Sequence, residues 1–162
     1  MIHINGKAKS ELTKVQAKDV QPNATDLRVH KIFKISDKIF TIDEDHKDHR
    51  GSSTVLVDED GYWSLPAGSY EIVMENNIKV AHGEAGFVIT RSTLNRNDVF
   101  LTSGLYDSGY NGAMAACMHV GTAGMRIKPG TRVGQYLAFQ AETLSMYDGD
   151  YGVNKEHDKK YV

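Results

Sequence analysis

Gly104-Leu-Tyr-Asp-Ser-Gly-Tyr-Asn-Gly112 lies between apolar alternating runs and gathers three glycines, one carboxylate and two tyrosines. That composition predicts a tight β-hairpin holding one acid beside an aromatic ring. Such a hairpin offers backbone groups for hydrogen bonds and, in Tyr110, a flat face. Asp107 is then the candidate general base, because a carboxylate within reach of a water can activate it for attack. Gly, Asn, Asp and Ser also populate ordinary surface turns, and taken alone the segment reads as one of those.

Outward from the hairpin, strand signals dominate. Strands are predicted over Leu27–Ile35, Lys38–Ile42, Ser53–Leu56, Gly68–Val73, Gly86–Thr90, Ala113–Val120, Met125–Ile127 and Gln135–Glu142. Turn residues separate them at Asp58-Glu-Asp-Gly61, Pro66-Ala-Gly68, Glu75-Asn-Asn77, Ser108-Gly109 and Lys128-Pro-Gly130. Many short strands with regular turns predict an all-β sandwich or barrel of the jelly-roll type. Lys9–Lys18 is the one short candidate helix, at the N-terminus. With no internal repeat or linker, residues 1–152 are expected to form a single domain, followed by a charged, solvated tail over 153–162.

Composition narrows the function classes. A chain of 162 residues can bury a real core. A formal charge of −2 argues against a protein that grips polymeric nucleic acid, which needs a basic surface. No apolar run approaches membrane-spanning length, so no membrane partner is expected. The lone Cys117 excludes an internal disulfide and points to a reducing, cytoplasmic setting. In the run Ala-Ala-Cys-Met it reads as a small core residue.

Three more short segments share the hairpin's density of chemistry: Pro22-Asn-Ala-Thr-Asp-Leu-Arg28, Arg91-Ser-Thr-Leu-Asn-Arg96 and Pro129-Gly-Thr-Arg-Val-Gly-Gln135. With Gly104, Asp107, Tyr110 and Gly112 they form four motifs, and the set resembles the trimeric dUTPase and dCTP deaminase superfamily in order and spacing. The resemblance covers residues 20 to 152. It implies a distorted jelly roll, a homotrimer with composite sites, a deoxyribonucleoside triphosphate substrate and Mg²⁺ as cofactor.

Each motif has a chemical reading beside a plainer one. Arg91 supplies a planar fork suited to phosphate and Ser92 a short donor, although a strand-end ion pair with a capping serine would look the same. By resemblance, Arg96 belongs to the same substrate-binding element, and Gln135 contacts phosphate or ribose. Backbone groups from Gly104 through Asn111 and Gly112 are expected to read the base edge, with Tyr110 under the deoxyribose. Asp26 shapes the site and reaches Mg²⁺ through water, since that ion keeps several waters and is held mainly by phosphates. The spacing His46-x-x-His49 invites a zinc reading, but four ligands are wanting and the loop reads as a solvated, mobile insertion.

One position separates the two branches of the superfamily. The deaminase branch carries a glutamate where this chain has Cys117, and a neutral thiol is a poor proton shuttle. Gly104 and the Asp107-x-x-Tyr110 pairing resemble the dUTPase form, whereas Arg96 and Tyr147-Asp-Gly-Asp-Tyr151 resemble the deaminase form. The glycine-rich C-terminal arm of dUTPases is absent. The resemblance therefore implies a dUTP pyrophosphohydrolase. The alternatives are a dCTP deaminase-type enzyme and a non-catalytic nucleotide-binding or interaction protein on the same scaffold.

Overall fold

Alternation of inward and outward side chains runs along the strand after the hairpin. Met114, Ala116, Met118 and Val120 are buried, while Ala115, Cys117 and His119 face the other way, half-buried. The computed structural model describes residues 1–162. Its strands are β1 (Glu11–Leu12), β2 (Thr25–Ile35), β3 (Thr41–Ile42), β4 (Lys47–Asp48), β5 (Ser52–Thr54), β6 (Trp63–Leu65), β7 (Gly68–Lys79), β8 (Glu84–Thr90), β9 (Val99–Thr102), β10 (Asn111–Val120), β11 (Met125–Ile127) and β12 (Arg132–Gln140). Helical structure is limited to α1 (Ser92–Asn95) and two 3₁₀ turns, Ala17–Asp19 and His157–Tyr161. The all-β jelly roll expected from the sequence is what the chain forms.

The main sheet runs β8-β12-β2-β7-β10-β9, with β1 added to β7 and β5 to β2. The sheet curls until its two ends meet. Across that seam Thr90 Oγ1 accepts from Leu101 N at 2.7 Å, and Ser103 Oγ accepts from Val88 N at 2.9 Å. Further along, Gly86 and Tyr106 exchange both backbone hydrogen bonds, at 3.1 and 2.7 Å. The pairs 90–101 and 88–103 would continue to 86–105, so one extra residue is accommodated before Tyr106, as in a β-bulge. Leu27, Ile32, Ile72, Met114, Met118, Val133 and Tyr136 fill the enclosed core.

Several expectations are corrected. Lys9–Lys18 is not a helix. Ser10 N donates to Glu84, Thr13 N to Asn77, and Glu11–Leu12 pairs with β7, so these amides are spoken for by distant partners. Lys14 also has a positive φ of 54°, which no right-handed helix accepts. Glu75-Asn-Asn77 is not a turn but the continuation of β7. Buried Asn76 makes this possible, because its Nδ2 donates to Thr13 O and its Oδ1 accepts from Arg28 N. Of Lys38–Ile42 only Thr41–Ile42 is strand, in a small hairpin with β4. Strands β1, β4, β6 and β9 are absent from the sequence reading, and β4 lies in the His46–His49 loop expected to be a solvated insertion. The tail is not free in solvent either. Tyr161 Oη and Lys160 Nζ both donate to Glu71, Lys31 Nζ donates to Tyr161 O at 3.0 Å, and buried Asp158 accepts from Gly152 N at 2.7 Å.

Gly86 carries the closest approach in the seam. A Cβ there would fall inside the van der Waals envelopes of the Tyr136 hydroxyl and the Leu137 carbonyl, both of which are packed in place. Gly86→Ala is therefore expected to lower stability by about 1–3 kcal/mol, as overpacking does. Urea unfolding monitored by fluorescence checks this, and an unchanged midpoint would contradict the packing described.

Candidate active site

The sequence-predicted residues fall into two groups at opposite ends of β8. The first is built around Asp26, whose side chain has 0% exposure. Register places Gln135 on β12 directly opposite Asp26 on β2, and Gln135 Nε2 donates to Asp26 Oδ1 at 3.0 Å. On the other oxygen, Arg132 Nη1 stands at 3.1 Å and Arg91 Nε at 3.3 Å. One fully buried carboxylate thus aligns two guanidinium groups that remain about a quarter to a third exposed. Beneath them, Arg28 is locked in a buried ion pair with Asp19 and donates to Gly130 O at 2.7 Å.

Asp26 accordingly holds Arg91, Arg132 and Gln135 together. Ser92 opens α1 directly after Arg91 and is exposed, as is Arg96 at the end of that turn. Arg132 was not singled out in the sequence, although it stands inside the fourth motif. Its signal was the motif itself, and its role depends on the bulge between Arg132 and Gly134 that turns it toward Asp26.

The second group surrounds Asp107. Gly104–Gly112 is not a closed two-strand hairpin, because Tyr106 pairs with Gly86 before the chain turns at Asp107–Tyr110 and enters β10. Gly109 takes φ of 92° in that turn and Tyr110 N donates to Asp107 O at 3.0 Å. Asp107 is exposed, clear of the ion pairs that occupy Asp19 and Asp26. Tyr110 is not an open platform. It is 7% exposed, its hydroxyl donates to Ala113 O at 2.7 Å, and its ring packs edge-on against Tyr106 and Tyr147. Burial pushes the Tyr106 and Tyr110 phenols well up, so both stay neutral donors.

A hollow of about 860 Å³ opens beside this loop, lined by Gly104, Ala115, Cys117, Glu71, His157 and Tyr161 among others. It is large enough for a nucleotide. Cys117 faces this hollow rather than the core: it is only half-buried, 3.5 Å from His119 Nε2. Burial, then the neighbouring Glu71, pushes its thiol up. Glu71 is the exact cross-strand partner of Cys117, so an acid does sit where the hairpin strand lacks one. Nothing in the sequence could have revealed it, because the β7–β10 register is a tertiary fact. No three His, Cys, Asp or Glu side chains converge to hold a metal ion.

Residues 2–141 match the dCTP deaminase-like family. The chain belongs to this family. It is similar to the probable deoxyuridine 5'-triphosphate nucleotidohydrolase of Aeropyrum pernix, 30% identical over 135 residues, which cover 82% of this chain and 84% of that one. Among solved structures it is similar to the 2'-deoxycytidine 5'-triphosphate deaminase from Agrobacterium tumefaciens, with a TM-score of 0.60 and 16% identity over 80% of this chain and 43% of that one. It is also similar to the EIAV dUTPase, with a TM-score of 0.54 and 16% identity over 90% of this chain and 97% of that one. Both likenesses bear on the fold.

Glu84 anchors the whole second group. Its buried carboxylate accepts from Lys9 N at 2.7 Å, Ser10 N at 2.9 Å and Ser10 Oγ at 2.5 Å. Burial alone would raise this carboxyl, and the donated hydrogen bonds outweigh it, leaving the group below its ordinary value. A folded-state value below the unfolded one stabilises the fold above the ordinary carboxylate range, and that stabilisation is lost as pH falls through the lowered value. Glu84→Gln, which turns one acceptor into a donor facing donors, should cost about 1–3 kcal/mol at neutral pH and flatten the acid limb of the stability curve. Thermal melts of both proteins across the acid range provide the comparison, and superimposable limbs would refute the assignment.

Proposed function

We propose that the protein hydrolyses dUTP to dUMP and pyrophosphate, with Asp107 as general base. The observation that carries this reading is the exposed Asp107 carboxylate on a turn tied down on both sides, at the rim of a hollow of about 420 Å³. The name borne by the Aeropyrum pernix relative supports it. Asp107 takes a proton from water, the water oxygen bonds to the α-phosphorus, and the bond from that phosphorus to the pyrophosphate oxygen breaks. Arg91, Arg132, Ser92 and Gln135 grip the phosphate chain, with Arg96 at the rim, and the backbone of Gly104, Asn111 and Gly112 reads the uracil edge. Tyr110 contributes by packing, as the wall that shapes the loop next to the sugar. Mg²⁺ fits as an ion brought in by phosphate oxygens, which needs no side-chain cage, and when bound it neutralises phosphate charge.

We read the two groups of residues as parts of composite sites completed in a homotrimer. Five residue steps along extended β8 lead from Gly86, beside Asp107, to Arg91, a span of roughly 16 Å. A single α-phosphate cannot sit against both in one subunit. Between them β8 and β12 present an apolar stripe of Phe87, Ile89, Leu137 and Phe139, with the two phenylalanines stacked at 5.6 Å. This stripe ends at Gln135, and a second copy of the chain covering it would bring its own Asp107 loop toward these arginines. Cys117 as the sole cysteine supports a reducing, cytoplasmic setting.

A deaminase-type reaction on dCTP is the second reading, favoured by Glu71 beside Cys117. Against it, Lys160 and Tyr161 already engage that carboxylate.

Incubation with each deoxyribonucleoside triphosphate and Mg²⁺, with products separated by chromatography, tests the proposal. Pyrophosphate from dUTP is expected, ammonia from dCTP would promote the second reading, and no turnover would leave only binding. Asp107→Asn should keep nucleotide affinity and lose roughly two or more orders of magnitude in turnover. Mixing that variant with subunits altered at Arg91 and Ser92 should restore part of the activity. A monomeric mass in light scattering at working concentration would rule the composite site out.

A further inference from the structure

We infer that Thr143, acting through Ser108, is a positioning residue for the Asp107 carboxylate. The inference rests on the hydrolase reading above and adds to it a pair of hydroxyls, Ser108 within the Gly104–Gly112 motif and Thr143 outside all four motifs. Asp107 is exposed, so its placement depends on the backbone that carries it. On the amino side that backbone is fixed by the Gly86–Tyr106 bridge. On the carboxyl side it is fixed by Ser108, which is 4% exposed.

The hydrogen bonds around Ser108 resolve into a single directed chain. Ser108 Oγ lies 2.6 Å from Glu84 O, which can only accept, so Ser108 spends its proton there. Thr143 Oγ1, 2.7 Å from Ser108 Oγ, must then be the donor in that contact. Thr143 Oγ1 in turn accepts from Gly83 N at 3.2 Å. Each hydroxyl thus gives one proton and takes one, and neither can rotate without leaving a partner bare. Ser108 O is held separately by Tyr147 N at 2.8 Å, and Gly109 N by Val80 O at 3.0 Å.

Thr143 stands in the segment that follows β12, and this segment walls a second hollow of about 420 Å³ whose rim includes Asp107 itself. The same acceptor residue, Glu84, uses its side chain to hold Ser10, whose Oγ accepts from Ala81 N at 2.9 Å. The N-terminal segment, the start of β8, the catalytic turn and the post-β12 segment are therefore cross-tied at one point, within a residue of Asp107. The hydroxyl chain has the character of a brace: it sets where the carboxylate stands.

Thr143→Val keeps the volume and deletes the hydroxyl, and Thr143→Ser keeps the hydroxyl. With dUTP and Mg²⁺, Thr143→Val should lower kcat about tenfold to a hundredfold, as small misplacements of catalytic groups do, with KM changed less than about twofold. Thr143→Ser should restore most of kcat. In the Asp107→Asn background Thr143→Val should have no further effect, because a brace for a missing base has nothing to hold. Should Thr143→Val fail to fold, Ser108→Ala carries the same comparison. Wild-type turnover with an unaffected kcat in Thr143→Val, or equal losses with and without Asp107, would overturn this inference alone. A wild-type protein that never releases pyrophosphate would overturn the hydrolase reading and this inference with it.

Discussion

Closure of the sheet at the β8–β9 seam is the constraint on which the rest of the molecule depends. An open sheet of this width would leave two edges with unpaired amides. Here the edges meet, but through hydroxyls of Thr90 and Ser103 before backbone pairing resumes at Gly86 and Tyr106. Side-chain pairing tolerates the extra residue that a regular ladder would exclude, and that residue turns the chain outward at Asp107. The Asp107 turn therefore exists because the barrel closes imperfectly at this point. Gly86 permits it by letting Tyr136 and Tyr106 approach the same backbone.

Buried charge is handled in three ways, and each serves a different part of the site. Asp19 and Arg28 neutralise one another at the base of the first group. Asp26 is surrounded by two arginines and an amide, an arrangement whose purpose is visible in what the arginines leave exposed. A lone buried carboxylate would be costly, and a pair of aligned guanidinium groups would repel; together they form a preset cationic surface. Glu84 forms no ion pair and is held by amides and a hydroxyl. Its negative charge lies on the same side of the molecule as Asp107, away from the arginines.

The C-terminal segment illustrates how tertiary contacts override composition. Residues 153–162 are rich in charge and read as solvated, yet Val153 N donates to Asn111 O at 2.8 Å and Tyr161 packs beside Phe33. Glu71 is the reason: a half-buried carboxylate on an outward strand face attracts Lys160 and Tyr161 together. The segment consequently lines the hollow beside Cys117 instead of leaving it open.

The sequence by itself determined the all-β class and most strand positions, and it supplied the candidate residues for the site, because period-two alternation and glycine-rich turns are local properties written in neighbouring residues. Arg91, Ser92, Asp107 and Gln135 could be named for the same reason, each standing in a short motif. Only the tertiary structure decided their grouping. Gln135 meets Asp26, and Glu71 meets Cys117, through strand registers that no local pattern encodes. The helix expected over Lys9–Lys18 failed because Glu84 and Asn77, far along the chain, bind those amides more completely than a short isolated helix could. Tyr110 looked like an exposed face because a turn sequence says nothing about what packs above it, and Tyr106 and Tyr147 do.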